Sequence, residues 1–104
     1  MADEHDSLTA SIREFLKRVS ESGIRIESAY LFGSYARKQV HAWSDIDIAI
    51  VSPDFSADRF EERIRLTRLS TEIDTRIEPV PFRPDDFTDE DPLAWMIRRE
   101  GLRI

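Results

Sequence analysis

Asp45 and Asp47 open the apolar run Asp45-Ile46-Asp47-Ile48-Ala49-Ile50-Val51, and ten residues separate them from the pair Gly33-Ser34. Side chains alternate faces along a strand, so the two carboxylates project from one side while Ile46, Ile48 and Ile50 enter a core. Carboxylates held side by side repel each other, and a divalent cation is the natural neutraliser. Magnesium suits the position, because it takes oxygen ligands and is commonly held by one or two protein carboxylates together with substrate phosphates. Gly33-Ser34 follows the apolar Ala29-Tyr30-Leu31-Phe32 and precedes an expected helix. Its backbone N–H groups and the Ser34 hydroxyl can therefore meet a phosphate at a helix N-terminus.

These residues resemble the signature of the minimal nucleotidyltransferases of the DNA polymerase beta superfamily: Gly-Ser, ten residues, then Asp-x-Asp. The spacing matches in full, and Ala36-Arg37 and Ser44 fit the wider pattern. The tail, with Glu78-Pro79-Val80-Pro81-Phe82 and Arg98-Arg99-Glu100-Gly101, is similar to the ends of small bacterial members, so the resemblance covers nearly the whole chain. Lys38 departs from it, standing where the family usually has Gly, which changes local backbone freedom and adds a cation near the phosphates.

The resemblance implies an α/β (α+β) fold, a small mixed sheet with helices packed mainly on one face. It implies ATP as substrate, Asp45 and Asp47 holding magnesium, and Gly33 and Ser34 holding the β- and γ-phosphates. It also implies a third carboxylate on a neighbouring strand, a ligand of the second metal that can activate the attacking hydroxyl. Asp74 and Glu78 compete for that role, having the same strand parity. Glu78 is preferred because it sits inside the apolar strand directly before Pro79, whereas Asp74 follows a helix. Arg37 could touch the triphosphate or pair with an acidic side chain. Small proteins resembling this one often act as antitoxins that adenylylate a HEPN-domain toxin, which makes a protein hydroxyl the expected acceptor. The alternatives are a catalytically silent module that neutralises a partner by contact, and a nucleotidyltransferase acting on RNA or a small molecule.

Composition narrows the field. One hundred and four residues suit one domain, 1–104, with no room for a separate acceptor-binding domain. There is no cysteine, hence no disulfide framework and no thiolate zinc site. No apolar run approaches the length of a membrane span and no signal-peptide pattern is visible, which points to the cytoplasm. A net charge of −6 disfavours sequence-independent nucleic-acid binding and favours basic partners.

The elements that must position these residues follow from periodicity. Leu8, Ile12, Phe15, Leu16 and Val19 predict a helix over 7–22, ended by Gly23. Strands are expected over 24–32, 45–51 and 76–82, the last an edge or a bulge because of Pro79 and Pro81. A short helix is expected over 35–39. Phe60, Ile64, Leu66, Leu69 and Ile73 predict a helix over 57–72, and another is expected over 93–100 before a short Leu102-Arg103-Ile104 ending. His5 and His41 read as solvated. Trp43 could stack on a base or pack a loop. The acidic run Asp85, Asp86, Asp89, Glu90 and Asp91 reads as a solvated surface with a helix start, the alternative being a docking patch for a basic partner.

Overall fold

The computed structural model of the chain describes residues 4–40 and 44–104, with side chains from residue 7 onward. The expectations for His41 and Trp43, and for the side chain of His5, lie outside these residues. Helix α1 spans Glu4–Glu21, strand β1 Ser28–Phe32, strand β2 Ile46–Val51, helix α2 Arg59–Thr71, strand β3 Ile77–Phe82, helix α3 Pro92–Glu100 and strand β4 Leu102–Arg103. The sheet order is β3-β2-β1-β4; β1 pairs antiparallel with β2 and β4, and β2 pairs parallel with β3.

Strand alternation decides what each face buries. Ile46, Ile48 and Ile50 turn to one side of β2, where Leu8, Ile12, Phe15 and Val19 of α1 and Leu66 of α2 cover them. Ala49 and Val51 turn to the other side with Phe32 and Phe82, beneath Ala94 and Ile97 of α3. The mixed sheet implied by the resemblance is present, and two of its three helices lie on one face. No helix among the described residues is long and apolar enough to cross a membrane.

β3 is an edge strand, as its prolines require. The Arg76 carbonyl accepts from Ile46 N–H at 2.8 Å and the Phe82 carbonyl from Ser52 N–H at 3.0 Å, so even-numbered residues turn their backbone groups toward β2. Pro79 and Pro81 therefore occupy outward positions, where a missing N–H costs the ladder nothing and gives an intruding strand no donor.

Four expectations need correction. The first strand is shorter, since 24–27 are irregular and only Glu27 N–H reaches the sheet, at the Val51 carbonyl. Residues 35–39 form turns rather than a helix. Leu102-Arg103 is not a loose ending but a strand paired to Tyr30 and Leu31. Phe60 was expected on the core stripe of its helix and is 72 % exposed. The buried stripe of α2 instead runs through Glu62, Leu66 and Ser70.

Candidate active site

The antiparallel register sets Phe32 opposite Asp47, and the parallel register sets Asp47 beside Glu78. All three lie on the α3 face of the sheet, at the end where β1 finishes and β2 and β3 begin. Asp47 and Glu78 are half-buried, Asp45 precedes the strand and is exposed, and Ser44 beside it is buried.

Gly33 follows β1 with φ 71°, in the left-handed region that disfavours side chains. A Cβ added there would collide with Oδ2 of Asp47. Glycine is thus required twice, once by the backbone and once by the carboxylate lying against its Cα. The sequence pairing of Gly33 with Asp47 becomes a physical contact.

Residues 34–39 make a single turn closed as a Schellman motif: Lys38 N–H donates to the Tyr35 carbonyl at 3.4 Å and Gln39 N–H to the Ser34 carbonyl at 2.9 Å. The motif needs a left-handed residue at its penultimate position, and Lys38 occupies it with φ 57°. This accounts for the glycine that the resemblance leads one to expect there, since only glycine takes that conformation without Cβ strain. Arg37 N–H donates to the Gly33 carbonyl at 3.1 Å, while the N–H groups of Ser34, Tyr35 and Ala36 donate to no acceptor among the described residues. An anion can be met by this turn without a helix behind it.

Burial raises the proton affinity of the Asp47 carboxyl, and the negative charges of Asp45 and Glu78 raise it further; the guanidinium groups of Arg37 and Arg63 oppose them. Such a carboxylate gains from a cation brought close, and an all-oxygen donor set suits a hard divalent ion. Among the described residues, however, no group of three or more His, Cys, Asp or Glu side chains converges to hold a metal. Asp47 and Glu78 share a face and Asp45 adds to their electrostatic field, but the three are not drawn together as a ligand triad.

Two arginines occupy that field. Arg37 lies 3.8 Å from Glu100 at the end of α3. Arg63 of α2 places Nη2 3.7 Å from Oε2 of Glu78. Sequence reasoning missed Arg63, because its link to Glu78 depends on how α2 packs beside β3 and no local spacing announces it. Asp74, the competitor of Glu78, is committed elsewhere. Its carboxylate accepts from Arg76 Nη2 at 2.8 Å and Nε at 3.1 Å, and these bonds, with a further one from Ser11, hold it down to about 2.

The arrangement therefore sets a turn with backbone donors unpaired among the described residues next to Asp47, with Glu78 beside it in register, which suits a nucleoside triphosphate with its counter-cation. Comparison with known proteins bears on the fold and the family. A chain of an MntA-HpeT toxin–antitoxin mutant is 24 % identical with a TM-score of 0.65, the match covering 89 % of this chain and 70 % of that one. A chain of a toxin–antitoxin structure with AMP-PNP is 25 % identical with a TM-score of 0.62, covering 88 % and 69 %. A candidate nucleotidyltransferase from Sulfolobus solfataricus is 21 % identical with a TM-score of 0.56, covering 99 % and 89 %. No curated protein matches the chain. The family model of the nucleotidyltransferase domain matches residues 12–93, a stretch that takes in Gly33, Ser34, Asp45, Asp47 and Glu78, and the chain belongs to that family.

Proposed function

We propose that the chain transfers AMP from ATP to a hydroxyl of a partner protein, and that the partner is a HEPN-domain toxin for which it serves as cytoplasmic antitoxin. The observation that carries the reading is the contact of Gly33 with Asp47, with Glu78 beside Asp47 in register. The toxin–antitoxin structure with AMP-PNP supports the choice of nucleotide and of partner class.

In this reading the Ser34 N–H and its neighbours hold the β- and γ-phosphates, with Arg37 close enough to add charge. That grip presents the α-phosphorus in line with the acceptor and matches the charge growing on the leaving pyrophosphate. The acceptor oxygen bonds to the α-phosphorus, the bond to the bridging oxygen breaks, and Glu78 takes the hydroxyl proton. Asp45, Asp47 and Glu78 would hold magnesium, which when bound neutralises triphosphate charge and lowers the pKa of the attacking hydroxyl. Glu78 must leave Arg63 to do so, an exchange that the half-exposed pair permits.

The acidic segment is the proposed contact for a basic toxin face. Asp91 caps α3, accepting from Leu93 and Ala94 N–H, and Asp89 pairs with Arg98, which leaves Asp85, Asp86 and Glu90 as the charges on offer. Opposite potentials speed such an association.

A second reading, contact without catalysis, is favoured by one feature, the engagement of Glu78 by Arg63 at 3.7 Å. Weighing the partner by mass spectrometry after incubation with ATP and magnesium separates the two. Added AMP, lost in Asp45→Asn and Asp47→Asn, supports transfer. Neutralisation without added mass, equal in those variants, supports contact alone.

A further inference from the structure

The outer face of α2 carries a second stripe, out of phase with the buried one. Phe60, Ile64, Thr67 and Thr71 line a groove of about 330 Å³, with Arg63 and Arg68 on its rim. A neighbouring cavity of about 310 Å³ shares Phe60 and Arg63 and continues over the β3 edge to Val80 and Pro81. The two form one path from the middle of α2 to Arg63, whose guanidinium lies against Glu78.

The path is apolar along its floor and positive at its rim, on a chain whose net charge is −6. No carboxylate lines either cavity. Arg68 has no ion-pair partner among the described residues. Phe60, at 72 % exposure, is a large aromatic ring left mostly in water. Strand addition at this edge is excluded, because Pro79 and Pro81 stand at its outward positions without donors. An occupant must bind by side chains.

We propose that this groove seats a segment of the acceptor protein in which apolar residues alternate with carboxylates. The apolar side chains cover Phe60 and Ile64, carboxylates pair with Arg68 and Arg63, and the segment leads the acceptor hydroxyl past Arg63 toward Glu78 and Asp47. Competition by the segment's carboxylate for Arg63 frees Glu78 as the acceptor arrives. A nucleic-acid occupant fits less well, since single strands bind along basic grooves on successive aromatic rings, and these two cavities offer Phe60 alone beside apolar Ile64, Val80 and Pro81. That the occupant belongs to the acceptor rests on the transfer reading; binding in the groove does not.

Fluorescence anisotropy with three labelled probes tests it: a peptide alternating Leu and Phe with Asp and Glu, the same peptide with Lys at every acidic position, and oligouridylate. The acidic peptide is expected to bind saturably, about tenfold more weakly to Phe60→Ser and about fivefold more weakly to Arg68→Glu. Both residues are exposed, so neither change disturbs folding. Binding should survive in Asp47→Asn, so a failure of the transfer reading leaves this result standing. Equal binding of the basic peptide, tighter binding of oligouridylate, no binding of the acidic peptide, or self-association through Phe60 by light scattering would each overturn the proposal.

Discussion

Replacing Gly33 by alanine probes the contact on which the site is built. At φ 71° an alanine sits in the left-handed region, at a cost of about 1–2 kcal/mol. Its Cβ would also collide with Oδ2 of Asp47, and turning that carboxylate away from its rotamer costs about 0.5–1.5 kcal/mol more. Alanine restricts the unfolded chain and returns about 0.4–1 kcal/mol, leaving a net loss of about 2 kcal/mol, or a fall in Tm of about 10 °C. Gly23→Ala is the control, with φ 96° and nothing within 4 Å of the added atom, so it carries the backbone cost alone. A double-mutant cycle isolates the rest. In an Asp47→Ala background the two nearest atoms, Oδ2 and Cγ, are gone, and the Cβ at position 47 lies at 3.5 Å, an ordinary contact. Urea unfolding of the four proteins should therefore give a coupling of about 1 kcal/mol between the positions. If Gly33→Ala costs the same with or without the Asp47 carboxylate, or no more than Gly23→Ala, the packing described for the site is wrong.

Lys38→Gly should stabilise the protein by about 0.5–1 kcal/mol in the same assay, the relief of a left-handed lysine outweighing the greater freedom of glycine in the unfolded chain. Asp47→Asn should raise Tm at neutral pH. A carboxyl whose folded value is raised penalises the ionised folded state above that value, so the variant's advantage should vanish as pH falls to the ordinary carboxylate range. Asp74→Asn should do the reverse. Its carboxyl is held at about 2 against 3.8, so its stabilisation is complete above the unfolded value and lost as pH falls through the folded one. With the side chain 13 % exposed, the loss near neutral pH should be about 1–2 kcal/mol after discounting for solvent screening, closing to nothing in acid.

The parts legible in the sequence are those in which local period and burial coincide. Leu8, Ile12, Phe15 and Val19 repeat at helical spacing and all four are buried. Ile46, Ile48 and Ile50 alternate and are wholly buried. In α2 the two diverge, because Glu62 holds a buried position, accepting from Ser56 N–H at 2.8 Å, while Phe60 and Ile64 form a separate outer stripe. Reading apolar residues as core there selected the wrong stripe in part. β4 escaped notice because two exposed residues carry no period, and its pairing partners lie about seventy residues earlier. The turn at 35–39 looked helical because its residues allow helix, yet the left-handed Lys38 ends it after one turn. At the site, strand parity was enough to put Asp47 and Glu78 on one side, while Asp45 precedes the strand and parity does not govern it. Register, which makes Glu78 the neighbour of Asp47 and leaves Asp74 in a turn with Arg76, comes from long-range pairing that periodicity does not encode.

The central claim, that Gly33-Ser34 and the carboxylates of Asp45 and Asp47 form one magnesium-dependent triphosphate site, is tested most directly by calorimetric titration of ATP with and without magnesium. The account predicts binding that strengthens markedly with the metal and is lost when Asp45→Asn and Asp47→Asn are combined. Binding indifferent to magnesium, or unchanged in that double variant, would contradict it.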